Sequence, residues 1–147
     1  LLETDIVQNG KTLKALPTRD ALLPQLAVLA RSREELTGVE DLFRKLPKRF
    51  TASDRVKEFP TEKGKAKVAE IAEKKTGEKI FGNLAGKLVA EDLTDGYRMT
   101  FDSGDVIHLR PSGNAPELRC YVECDTPSRA EELKGKVLSV MQSWKQV

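Results

Sequence analysis

The 147 residues carry 25 Lys/Arg against 23 Asp/Glu, a net charge of +2, with 39% apolar and 33% charged side chains. That suits one soluble domain, or a small domain plus a piece of another. A membrane role is excluded: the longest apolar stretch, Ala21 to Ala30, is broken by Pro24 and Gln25 and falls short of the roughly 18 to 20 residues a bilayer requires. A nucleic-acid stripe is excluded too, because residues 1–60 hold 11 basic and 9 acidic groups and the remainder 14 of each, with no clustered positive charge.

The opening Leu1-Leu2-Glu3-Thr4-Asp5 has no initiator Met and no signal-peptide pattern, so the chain reads as part of something longer. Asn9-Gly10 between Ile6-Val7 and Leu13 predicts a hairpin, the last strands of a sheet. Thr18-Arg19-Asp20 then opens a helix with Leu22, Leu23, Leu26 and Leu29 at core spacing and Pro24 near its start. Thr37 and Glu40 stand at capping-box spacing before Val39, Leu42, Phe43 and Leu46. Pro47 ends that helix, and Phe50 to Phe59, closed by Pro60, reads as a strand entering a second unit. The boundary is placed near residue 48.

Thr61 is the expected cap of a helix carrying Val68, Ile71 and Ala72, with Lys74 and Lys75 in its last turn and Gly77 past its end. Tyr97, Met99 and Phe101 alternate with polar residues after the Asp95-Gly96 turn, giving a strand with one dry face. Asp102-Ser103-Gly104-Asp105 turns it back into Val106 to Leu109. Leu118, Cys120, Val122 and Cys124 alternate in a third strand. Thr126-Pro127 caps a last helix striped by Leu133, Val137, Val140, Met141 and Trp144, with Trp144 read as core. The expected class is α+β, a four-stranded antiparallel sheet with two helices on one face, preceded by the remnant of an α/β domain.

Cys120 and Cys124 lie about 13 Å apart at roughly 3.3 Å per strand residue, beyond disulfide reach. Two free thiols fit a reducing cytoplasm. With His108 the only histidine, no metal site is expected, and His108, in phase with Val106, reads as a sheet residue.

The segment Arg110-Pro111-Ser112-Gly113-Asn114-Ala115-Pro116 joins two adjacent strands. A guanidinium, a hydroxyl, an amide and consecutive backbone N–H groups converge there, the donor set a phosphate needs. Gly113 permits positive φ and close approach of a ligand, while Pro111 and Pro116 stiffen the ends. A tight turn whose Arg110 pairs with a carboxylate fits the same residues equally well. Arg119 and Glu123 share a strand face, either as a structural pair or bracketing a ligand. No acid/base pair, nucleophile triad, P-loop or metal cluster occurs at a telling spacing, so the chain reads as a holder without a reagent.

The ordered runs Asp95-Gly96-Tyr97-Arg98, Phe101-Asp102-Ser103-Gly104 and Arg110 through Glu123 resemble the C-terminal domain of the α-D-phosphohexomutases, the family of phosphomannomutase and phosphoglucomutase, with its TBP-like fold. Thr18-Arg19-Asp20-Ala21 and the leucine-rich helix are similar to the segment closing that family's third domain. The resemblance implies that residues 1–47 are the remnant of that domain and 48–147 the phosphate-binding domain. It implies a grip on the non-transferred phosphate by Arg110, Ser112, Gly113 and Asn114, with Arg119 in support. The usual loop has Thr-Glu where this chain has Asn114-Ala115, exchanging a hydroxyl for an amide and removing a carboxylate.

By the same resemblance, the phosphoserine donor and the Mg²⁺-binding acidic loop lie on upstream domains of the same protein, and the substrate is a hexose phosphate, mannose favoured over glucose. The fragment by itself is then expected to be inactive and to hold no cofactor. A free-standing phosphate-binding or interaction module is the alternative reading.

Overall fold

The computed structural model describes residues 3–16 and 20–145. The chain divides into two compact units, Leu1–Pro47 and Lys48–Val147. In the first, strands β1 (Ile6–Gln8) and β2 (Lys11–Leu13) form the expected hairpin. Asn9 and Gly10, at φ 50° and 71°, supply the two left-handed residues of a tight hairpin turn. Helix α1 (Leu22–Glu34) follows. Asp20 Oδ1 accepts from the backbone N–H of Leu22 and Leu23 at 2.7 and 2.8 Å, satisfying orphan donors of the first turn; Thr18 and Arg19 lie outside the described residues.

Two expectations for this unit fail. Leu22, Leu26 and Leu29 are more than half exposed, and neither α1 nor α2 (Val39–Arg44) has a buried residue. So short a segment has too little surface to wrap a core around its own leucines. The capping box is also absent: Gly38 is the cap residue, the Thr37 hydroxyl donates to Asp41 at 3.2 Å, and Glu40 pairs with Arg44 one turn on. A carboxylate facing an i+4 guanidinium has a competing partner.

The second unit is α+β. Its sheet is antiparallel, in the order β3 (Phe50–Lys57), β7 (Glu117–Cys124), β6 (Val106–Pro111), β5 (Tyr97–Phe101) and β4 (Leu88–Asp92). Helix α3 (Thr61–Glu73) connects β3 to helix α4 (Gly77–Ala85), and α5 (Pro127–Ser143) closes the chain. Thr126 caps α5 by accepting from the Arg129 N–H, with Pro127 in the first turn, as its sequence predicts. Among the described residues of this unit the sheet has five strands rather than the expected four, and the helices number three rather than two, so the arrangement departs from the TBP-like fold expected.

Both additions come from residues 77–92. Gly77 reads as a terminator, yet it begins α4, whose Phe81 and Ala85 are buried and whose Ile80 and Leu84 pack against the core. Gly77 is needed for space: a Cβ there would lie 2.7 and 2.8 Å from Tyr97 and Met99 side-chain atoms. Strand β4 has no alternating burial, being mostly exposed, so no period-two signal marks it.

Inward residues of β3, β5, β6 and β7 form one buried cluster with residues of α3, α4 and α5. The helices therefore cover one face of the sheet. Burial alternates strictly along β5 and β7, so their polar partners lie on the open face. Asp105, 5% exposed, receives two bonds from Arg129 at 3.0 and 2.8 Å. This pair ties the β5–β6 turn to α5 and keeps a buried carboxylate compensated. Trp144 packs edge-on to Phe81 at 6.3 Å, as the core reading requires.

Cys120 and Cys124 are free and buried. Burial first, then Asp54 beside Cys120 and Asp105 beside Cys124, pushes both thiols up to about 12. Only thiolate attacks electrophiles, so neither cysteine should react with a maleimide at pH 7.5 in the native protein, and both should react once urea unfolds it. Mass spectrometry of quenched samples reads this directly; fast labelling of the folded chain would contradict the burial.

Candidate functional site

The loop predicted to hold an anion is the connection between β6 and β7. Backbone bonds close it: the Ser112 N–H donates to the Glu117 carbonyl at 2.9 Å, and the Glu117 N–H to the Ala115 carbonyl at 2.8 Å. Its C-terminal half is tied to the start of α3, since the Phe59 N–H donates to the Pro116 carbonyl at 2.8 Å and the Thr61 hydroxyl to the Ala115 carbonyl at 3.3 Å. Thr61 therefore serves the loop and makes no side-chain cap for its own helix. Gly113 and Asn114 are exposed, whereas Ser112 is 5% exposed. Ser112 Oγ accepts from the Asn114 N–H at 3.4 Å, leaving its O–H as a donor.

Arg110 and Arg119 stand directly opposite one another in the β6–β7 register, both on the open face. Arg110 Nε donates to Asp95 Oδ1 at 2.9 Å, with Oδ2 at 2.8 Å. Asp95 foremost, and the Tyr121 hydroxyl second, raise the Arg110 pKa. Arg110 is thus the partner of a carboxylate, one of the two readings that the sequence left open. Arg119 and Glu123 do not pair: Glu123 takes Arg98 at 2.8 Å, and Arg119 Nη2 lies 3.6 Å from Glu117. Arg98 stands nearer because β5 and β7 flank β6, while along one strand the i,i+4 distance is too long.

His108 Nε2 contacts the Asp95 carbonyl at 2.5 Å, and its ring lies 5.6 Å from that of Tyr121. A carbonyl only accepts, so Nε2 carries a proton and His108 fastens the β4–β5 turn to β6, consistent with a sheet residue. Asp95 and Gly96 are the site residues that sequence reasoning took only for a turn. Gly96 has φ 89°, and a Cβ there would fall 2.3 Å from the Leu109 carbonyl oxygen. That close approach seats Asp95 on Arg110. The signal available in the sequence was the Asp-Gly dipeptide beginning the strand that pairs with β6.

Gly113 does not adopt the positive φ expected of it, and a Cβ built on it meets nothing within 4 Å. Neither backbone conformation nor packing within the chain calls for glycine there. Beside the loop, Arg110, Pro111, Gly96 and Asp95 join Val68, Ala72 and Leu93 around a cavity of about 490 Å³. Its wall is mostly apolar and suits aliphatic surface. Among the described residues no group of three or more His, Cys, Asp or Glu could hold a metal ion, and no helix is long and apolar enough to cross a membrane.

The two glycines should respond oppositely to alanine. Gly96→Ala is expected to destabilise the chain by about 2 kcal/mol or more through strain and overlap. Gly113→Ala should stay within about 0.5 kcal/mol of wild type. Urea unfolding followed by circular dichroism measures both; equal losses would contradict the geometry.

The profile of the phosphoglucomutase/phosphomannomutase C-terminal domain matches residues 40–140. A phosphomannomutase of Salmonella muenchen is 41% identical over 147 residues, 97% of this chain and 30% of that protein. Another phosphomannomutase, from Sinorhizobium fredii (strain NBRC 101917 / NGR234), is 38% identical over 146 residues, with the same shares covered. The chain thus spans about 30% of the length of the relatives it matches. From the profile match across most of its length, this chain belongs to the phosphoglucomutase/phosphomannomutase family, as its C-terminal part.

Proposed function

We propose that this chain is the substrate-clamping end of a phosphohexomutase, acting on mannose phosphates in preference to glucose phosphates, and that the β6–β7 loop holds the phosphate that is not being transferred. The observation that carries the reading is convergence at one end of the sheet: Arg110 and Arg119 opposed in register, with Ser112, Gly113 and Asn114 on the loop between them. Both relatives described above bear the name phosphomannomutase, which favours that substrate. Residues 1–47 are then the end of a preceding α/β domain, and 48–147 the phosphate-binding domain.

On this reading each group has a separate task. Arg110 offers the guanidinium nitrogens that Asp95 leaves unused. Arg119 adds charge from the neighbouring strand. Ser112 gives its O–H, Asn114 its side-chain amide, and Gly113 its N–H without a side chain in the way. Each charge-assisted hydrogen bond contributes roughly 1.5 to 3 kcal/mol, much of it offset by immobilising the ligand. The work done is positioning and charge stabilisation, which dominate phosphoryl transfer.

The resemblance implies Mg²⁺ and a phosphoserine on earlier parts of the protein. The described residues offer no cluster that fits such an ion, so no step assigned to this chain passes through it. The complete protein should interconvert mannose 1- and 6-phosphates, and Arg110→Ala should lower kcat/KM by 10²-fold or so, the order expected for about 3 kcal/mol of lost transition-state binding. Unchanged kinetics in that variant would remove Arg110 from the clamp. The purified 147 residues should give no turnover with either hexose phosphate, and a rate above that of a heat-treated control would refute the division of labour.

If instead the chain acts as a free-standing phosphate-binding module, Gly113→Ala should weaken phosphate binding by the isolated chain while the complete protein shows no mutase activity. The mutase assay separates the two.

A further inference from the structure

The register places a third arginine in line with the first two. Arg55 of β3 pairs with Arg119 of β7, and Arg119 with Arg110 of β6, so three guanidinium side chains share one row across three adjacent strands of the open face. Like charges directly opposite destabilise a sheet, and here they are incompletely compensated. Glu117 is the carboxylate between two of them, 3.1 Å from Arg55 Nε and 3.6 Å from Arg119 Nη2; Asp95 serves Arg110 alone at the far end. Arg119 Nε is buried with no hydrogen-bond partner, and a buried donor without a partner is destabilising.

The row is also wider than the loop. At about 4.8 Å between neighbouring strands, the Arg55 and Arg110 backbones stand about 10 Å apart. Arg110 flanks the loop directly, whereas Arg55 is two strands away on the edge strand and half-exposed. One phosphate at the loop leaves Arg55 and the inner side of Arg119 with unspent positive charge.

We propose that Arg119 and Arg55 form a second anion subsite beside the loop, so that the open face takes a ligand with two adjacent phosphoryl groups, a diphosphate. One phosphoryl group lies at the loop against Arg110; the other lies over β7, between Arg119 and Arg55, where it competes with Glu117 for both guanidiniums. This rests on the loop being a phosphate site, as argued above, and adds the ligand class that its surroundings favour. No bond is made or broken.

The test is calorimetric titration of the chain with inorganic phosphate and with inorganic pyrophosphate at fixed ionic strength. Wild type should bind pyrophosphate at least tenfold more tightly than phosphate. Arg55→Gln should remove most of that margin and leave phosphate binding unchanged. Lys57→Gln, an equal change of charge on the same strand outside the row, should keep it, which separates a local site from general attraction to a basic surface. Glu117→Gln should widen the margin by freeing both arginines. Equal affinities for the two anions in wild type, or a margin that Arg55→Gln and Lys57→Gln lower alike, would overturn the subsite while leaving the loop's phosphate reading intact. Failure to bind either anion would overturn both.

Discussion

The side-chain alternation of β6 and β7, joined through a loop too short to alter their register, is the constraint on which the rest depends. Residues 107 and 109 face the helices together with 118, 120, 122 and 124, all buried. The same parity sends His108, Arg110, Arg119, Tyr121 and Glu123 to the open face. A slip of one residue would bury two arginines and expose two leucines, so hydrophobic burial on one side fixes the positions of the cations on the other. The core thereby sets the geometry of the site without touching it.

Charge on that open face is matched carefully in some places and loosely in others. Glu123 is fully taken by Arg98, which holds its carboxyl below the usual range. Arg110 is shared between Asp95 and Tyr121, so it belongs to a network and is not a free cation. Asp95 thereby fixes the orientation of the guanidinium. Around Arg119 the matching is loosest, and there the sheet has capacity for more negative charge.

The second unit contains a core, a capped C-terminal helix and a buried ion pair, all within residues 48–145. The first has exposed leucines on α1 and no buried residue in either helix. Both thiols are held protonated by burial.

Much of this was legible from the chain alone. Strict alternation over 97–101 and 118–124 identified two strands, Thr126-Pro127 identified the cap of α5, Asn9-Gly10 the first hairpin, and the run Arg110 to Pro116 the loop, because each depends on interactions between residues close in sequence. Helix α4 and strand β4 were not legible: one begins at a glycine needed for packing against Tyr97 and Met99, and the other is an exposed edge with no dry face. Nor were the partners of the charged residues. Periodicity is local, so the residue types of the loop and the apolar face of each strand could be read along the chain. That Asp95 meets Arg110, that Glu123 pairs with Arg98 and not Arg119, and that Arg55 completes a row follow from strand order and register, which bring together residues far apart in the chain.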